Sequence, residues 1–240
     1  MRYIITILLS IFHLSAYSID NIDSSRYNYA KNASDNLNLE ELVNYLKKGV
    51  KDDSKIIETF FYWISLNIEF SLELKNKAEL TSDDVLANTV FVTRKTICAG
   101  YSNLLSEMCK YAKIECVIIK GTAQGYIENL VDSTNHTWNA VRIGKEWRLI
   151  DVTWGSGGYG MASANYDKKM DLRYLFAEPD FLIIDHFPED KNWQLLKIPI
   201  TLRQFQSKIW DEKRFRKFNN LLDDEEYNNH KQIMKNNGWE

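Results

Sequence analysis

Cysteine is scarce in this chain: Cys98, Cys109 and Cys116 are the only three among 240 residues. Three is too few for a disulfide-stapled scaffold, and an odd number leaves at least one thiol free. Cys109 and Cys116 flank a helix end and read as buried and inert, either singly or as a pair. Histidine is nearly as sparse, with four residues. His13 falls in an apolar N-terminal stretch and His230 in a charged tail, so a histidine base in the folded body must be His136 or His186. Neither a Cys-x-x-Cys pair nor a His-x3-His pair occurs, which argues against structural zinc. Positive charge is not in excess either. The formal net charge is −3, and no basic stripe interleaved with aromatics is visible, so no nucleic-acid partner is expected. No internal repeat is found.

What is present is the make-up of a packed protein, with 45% apolar and 13% aromatic residues. The length suits one sizeable domain, or one domain with an appendage. Met1, Arg2 and Tyr3 precede an apolar run over residues 4–14, and Ala16 and Ser18 put small residues where a signal peptidase reads. Residues 1–18 therefore read as a signal peptide cleaved near Ser18, with a secreted or periplasmic product. An ordinary first strand or helix is the other reading. The run is too short to span a bilayer and no second one follows, so no stable membrane span is expected.

Residues 19–36 are polar and read as a loose segment. Residues 37–200 read as the folded domain, and residues 201–240 as a charged, helical, fraying tail. Within the domain, Leu39, Leu42, Val43 and Leu46 repeat at helical spacing up to Gly49. Asp52, Asp53 and Ser54 can cap a second helix with Ile56, Ile57, Phe60, Phe61 and Ile64 on its core stripe. A third helix is expected from Thr81 toward Val90, and a fourth over residues 98–113. Residues 114–121 are a β-branched run. Residues 137–143 and 146–154 alternate in period two around Gly144-Lys145, which predicts a hairpin. Residues 155–160 are glycine-rich and read as a mobile wall, since they lack the lysine and the strand-loop-helix order of a phosphate cradle.

Three residues on this framework carry chemistry. Cys98 begins the fourth helix, where unpaired backbone N–H groups favour a thiolate. His136 begins one hairpin strand and Asp151 lies near the end of the next. If Ile143 faces Glu146, Asp151 lies opposite Trp138 and His136 is one diagonal step away. A register shifted by two puts His136 directly opposite Asp151. Either arrangement lets the carboxylate orient the imidazole while the other ring nitrogen faces the thiol. Tyr101, Trp138 and Trp154, which flank the three, are the expected substrate contacts. His186, in Asp-His-Phe-Pro, reads as a buried turn residue and not as a base.

The segments Cys-Ala-Gly-Tyr at 98–101, His-Thr-Trp-Asn at 136–139 and Trp-Arg-Leu-Ile-Asp-Val-Thr-Trp at 147–154 together resemble the transglutaminase-like superfamily. Tyr174-Leu175-Phe176, Glu178-Pro179, Asp185-His186-Phe187-Pro188 and Trp193-Gln194-Leu195-Leu196 resemble the branch that contains the kyphoscoliosis peptidase. The likeness covers residues 55–200. It implies an α+β fold with a papain-like core, in which N-terminal helices and a nucleophile helix pack on an antiparallel β-sheet. It assigns Cys98 as nucleophile, His136 as base and Asp151 as orienting acid of a cysteine peptidase or amide hydrolase. A protein or peptide substrate and no cofactor are implied. A crosslinking acyltransferase and a non-catalytic binding module on the same fold are the alternatives. Two features depart from the pattern. Thr96 stands where a glycine is common, and longer members continue past the Trp-Gln-Leu-Leu segment, where a substrate-selecting module is expected.

Overall fold

A computed structural model describes residues 22–77, 79–123, 136–159 and 166–206. The expected leader, the helical tail past residue 206 and the end of the glycine-rich loop lie outside the described residues. The chain opens with α1 (Ser24–Lys31), where a loose segment was expected. No apolar stripe marks this helix; partners far away in sequence hold it. Asp23 caps it through the Ser25 and Arg26 N–H groups, Arg26 donates to Thr59 at 2.7 Å, and Tyr29 stacks on Tyr45 at 4.5 Å. Short helices gain most of their stability from such docking, which local sequence does not show.

Next come α2 (Leu39–Leu46), closed by an Asn38–Glu41 capping box, and α3 (Asp53–Asn67), capped by Asp52. The stripe expected on α3 is in fact buried all round, from Ile56 to Ser65. This helix runs through the middle of the core. A short β1 (Glu69–Phe70), α4 (Leu72–Lys75), α5 (Ala87–Thr93) and β2 (Lys95–Thr96) follow. The helix expected from Thr81 is split at Leu86 into a 3-10 turn and α5. Then α6 (Cys98–Ala112) begins at the candidate nucleophile and ends at Lys113 in the left-handed region.

The rest builds one main sheet: β3 (Cys116–Ala123), β4 (His136–Ile143), β5 (Glu146–Ile150) and, after α7 (Val152–Gly155), β6 (Gly158–Tyr159), β7 (Tyr166–Asp167) and α8 (Pro179–Leu182), the edge strand β8 (His186–Pro188). A last helix, α9, spans Leu202–Gln206. The strand order is β5-β4-β3-β8, antiparallel throughout. Ile143 pairs with Glu146, the first of the two expected registers. Gly144 has φ +60° and Lys145 does not share a positive φ, the pattern of a type II′ hairpin turn. The second strand ends at Ile150, earlier than the alternation suggested, because Asp151 caps α7 and turns the chain away.

Side-chain alternation splits the sheet between two cores. Val141 and Ile150 pack with α2, α3 and α6, whereas Ile119, Trp138, Ala140 and Leu149 face a second cluster with Tyr174, Phe181 and Leu182. His136 and Asp151 share the second face with Trp138. So does His186, which pairs with Ala123. Three inter-strand gaps separate β5 from β8, about 14 Å on a flat sheet. Asp151 and His186 nonetheless bond at 2.9 Å, so the sheet must curl with this face concave.

Gly121 sits at the bottom of that curl. A Cβ there would lie 2.3 Å from the Phe187 carbonyl oxygen and 2.6 Å from the Trp138 ring. Gly121→Ala is expected to lower stability by about 2–3 kcal/mol, as overpacking does, by forcing β8 off β3. Urea unfolding measures it; an unchanged midpoint would show that the close approach is not needed.

Candidate active site

The site begins with the entry to α6. Gly100 lets this helix abut β2, since a Cβ there would meet Thr96 Oγ1 at 1.8 Å. That seats Cys98 on the first helical turn, half-buried, against the start of β4. The thiol is near enough to the His136 ring and to Thr137 for both to shape its ionisation. Thr137 is in turn held by Ser102, one turn along α6, at 3.2 Å. Asn139 adds a second tie across the same seam, donating to the Ser102 carbonyl at 3.1 Å.

His136 Nε2 lies 2.6 Å from Asp151 Oδ2, and both residues are buried. With Nε2 engaged, Nδ1 is the nitrogen left for the thiol. Asp151 is fully enclosed, and two further donors reach its carboxylate. Oδ1 accepts the Trp154 N–H at 3.1 Å, and Oδ2 also meets His186 Nε2 at 2.9 Å. The Nδ1 of His186 bonds Asp185 Oδ1. The Trp154 ring, half-buried, stands edge-on to His186 at 4.5 Å and tilted to His136 at 5.8 Å.

The electrostatics follow from this packing. Burial alone would raise the Cys98 thiol, but the His136 contact and the Thr137 hydrogen bonds outweigh it and hold the thiol below its ordinary value. Burial would lower His136; the charge and hydrogen bond of Asp151 dominate and push it up to about 10. Asp151 is held well below the ordinary carboxylate range: burial opposes ionisation, but the two histidines more than offset it. His186 is raised, with burial outweighed by Asp185 and Asp151. Both the Cys98 and the His136 shifts run in the direction that favours a thiolate beside an imidazolium.

All three expected core residues, Cys98, His136 and Asp151, are thus brought together. The expected aromatic contacts are not. Tyr101 and Trp138 are fully buried, Tyr101 on the core face of α6 and Trp138 in the second cluster, so neither can meet a substrate. Of the three, Trp154 alone lies at the site. Two residues were missed. His186 is no turn residue but part of β8, bonded to Asp151. Thr137 bonds Ser102 on α6 and helps to lower the thiol, and its place between His136 and Trp138 was the available signal. Cys98, Cys109 and Cys116 are all free thiols.

His136, Asp151 and His186 offer atoms within 4.8 Å of one another, as a metal site would. Their N···O separations of 2.6 and 2.9 Å are hydrogen bonds. Ligands at about 2.0–2.1 Å from a tetrahedral zinc stand roughly 3.3 Å apart. This spacing therefore fits shared protons better than a shared cation.

Asp151 has a folded pKa below its usual 3.8. The stability it adds is therefore present above that value and lost as pH falls through the depressed one. Asp151→Asn is expected to cost about 3 kcal/mol near pH 6, as breaking a buried ion pair does. The gap in melting temperature between wild type and variant should then close as pH drops toward 2. A gap constant with pH would show that the carboxylate charge is not what stabilises the site.

The sequence profile of the transglutaminase-like superfamily matches residues 40–152. The chain is 33% identical over 184 residues to the kyphoscoliosis peptidase of Mus musculus, covering 74% of this chain and 27% of that protein. It is 31% identical over 194 residues to the Homo sapiens counterpart, covering 78% and 29%. The chain thus spans under a third of the length of these relatives. A crystal structure of a TGase overlays with a TM-score of 0.38 at 15% identity, over 65% of this chain and 38% of that one. On the profile match and these relatives, the chain carries a domain of the transglutaminase-like superfamily.

Proposed function

We propose that the protein is a thiol-dependent amide hydrolase acting on a protein or peptide substrate. The observation that carries this reading is the buried Asp151–His136 hydrogen bond of 2.6 Å, with Cys98 at a helix start electrostatically coupled to the same imidazole. Cys98 as thiolate attacks the carbonyl carbon of an amide, forming the C–S bond as the carbonyl electrons move to oxygen. The Cys98 backbone N–H, at the first residue of α6, would donate to that oxyanion. As the tetrahedral intermediate collapses, the His136 imidazolium gives its proton to the departing amine. Water then attacks the thioester, with neutral His136 accepting its proton, and the carboxylic acid leaves as the thiolate re-forms.

Asp151 holds the His136 tautomer and the charge that appears on it. The printed name of the peptidase relatives supports hydrolysis of peptide bonds. Transfer of the acyl group to an amine, as in a crosslinking enzyme, uses the same first half-reaction. Water is preferred as acceptor because it is always at hand and no amine-binding feature is seen among the described residues. The apolar run at residues 4–14 supports an exported product.

Iodoacetamide labelling tests the reactive pair without knowledge of the substrate. Cys98 is expected to alkylate at neutral pH about tenfold faster or more than a free cysteine, and His136→Ala to remove that advantage. Peptide digests incubated with wild type and Cys98→Ala, with and without a primary amine, would then show by mass spectrometry whether cleaved or aminated products form. Cys98 reacting no faster than free cysteine would instead support a non-catalytic binding module.

A further inference from the structure

The contact chain does not stop at Asp151. Its Oδ2 is shared by two imidazoles, His136 at 2.6 Å and His186 at 2.9 Å. Behind His186 stands Asp185, bonded to the opposite ring nitrogen. The His186 side chain is wholly enclosed, with Trp154 edge-on at 4.5 Å and Trp138 edge-on at 5.1 Å. A side chain kept this dry between two carboxylates has one consistent protonation pattern. Each ring nitrogen faces an acceptor, so both carry a proton when the carboxylates are ionised. The geometry points to the Asp185–His186 pair as a positioning dyad that fixes the rotamer and moderates the charge of Asp151, and through it aligns His136 toward Cys98.

The physical grounds are threefold. A carboxylate bonded by one imidazole and one backbone N–H can pivot, whereas a second imidazole on Oδ2 removes that freedom. An enclosed carboxylate with an unfilled acceptor site is costly, so His186 also protects the ionised form. Finally, the positive charge of His186, behind Asp151 and His136, adds to the field that favours the thiolate. The curl of the sheet serves this contact directly. β8 lies two strands from β4, and the bare Gly121 between them leaves room for the Trp138 ring and for the β8 backbone at Phe187 and Pro188.

Among the described residues, the charged and titratable groups around His186 are few. Asp185 adjoins it, Asp151 comes from the β5–α7 junction and His136 from β4. The Tyr174 ring lies 6.2 Å away, and the Asp171–Arg173 ion pair lies beyond it. Cys98 is reached only through His136.

The inference rests on the thiol-hydrolase reading, and the test separates the two. The pH profile of Cys98 alkylation by iodoacetamide is measured for wild type, His186→Gln, His186→Leu and His136→Ala, with each variant first shown to be folded by circular dichroism and a cooperative melt. His186→Leu removes both the cation and the donor to Oδ2. Alkylation at neutral pH should slow about 100-fold, and the acid limb of the profile should move up by roughly one pH unit. His186→Gln keeps a neutral donor, so it should recover about tenfold of the rate while the limb stays displaced. A purely structural histidine would lower the melting temperature and leave the limb where it is in wild type, which would overturn the inference. So would stoichiometric zinc in the purified wild type that is lost in both His186 variants. If His136→Ala also left the profile unchanged, the reading of the reactive pair itself would fail, and not the dyad alone.

Discussion

A carboxylate fully withdrawn from water survives as an ion only when each of its acceptor sites is filled. Asp151 is such a group, and much of the domain can be understood as the means of filling those sites. The β4–β5 hairpin brings His136 beside it, the first turn of α7 supplies the Trp154 N–H, and the far edge of the sheet bends round to supply His186. Remove any one and the carboxylate becomes either mobile or neutral. Its influence on the thiol, two contacts away, would go with it.

Two glycines make that convergence possible for opposite reasons. Gly121 clears the concave face of the sheet so that Trp138 and β8 can close over it. Gly100 clears the entry to α6 so that the helix can lie against Thr96. The space that the Thr96 side chain needs is left by this glycine four positions along the chain, on the first turn of α6.

Much of this arrangement was legible in residue order. Gly144-Lys145 between two alternating runs marked the hairpin and left two registers, either of which puts His136 beside Asp151; the structure adopts the one with Ile143 opposite Glu146. Cys98 at the head of an apolar helical repeat was visible for the same reason, because both signals are periodic and local. What escaped was long-range or non-periodic. Helix α1 has no apolar stripe and is held by contacts to Thr59, Tyr62 and Leu46. His186 lies in a three-residue edge strand too short to show alternation, and its partner is 35 residues away. Tyr101 and Trp138 were read as substrate contacts because they adjoin the reactive residues in sequence. Adjacency along a helix or strand says little about which side of it faces solvent.

The site is assembled across a boundary between the two cores. The thiol belongs to the helical layer, and its acid–base partners belong to the opposite face of the sheet. What joins them is a thin polar seam of Ser102, Thr137 and Asn139. Chemistry here is therefore a report on registry between layers. A slip of α6 along β4 by about 1 Å would part sulfur from imidazole while both apolar clusters stayed packed. Such a slip lies below global unfolding in free energy, in the range of local opening. Under heat, pressure or denaturant the thiol would then lose its imidazole partner while the protein stayed folded by every bulk measure.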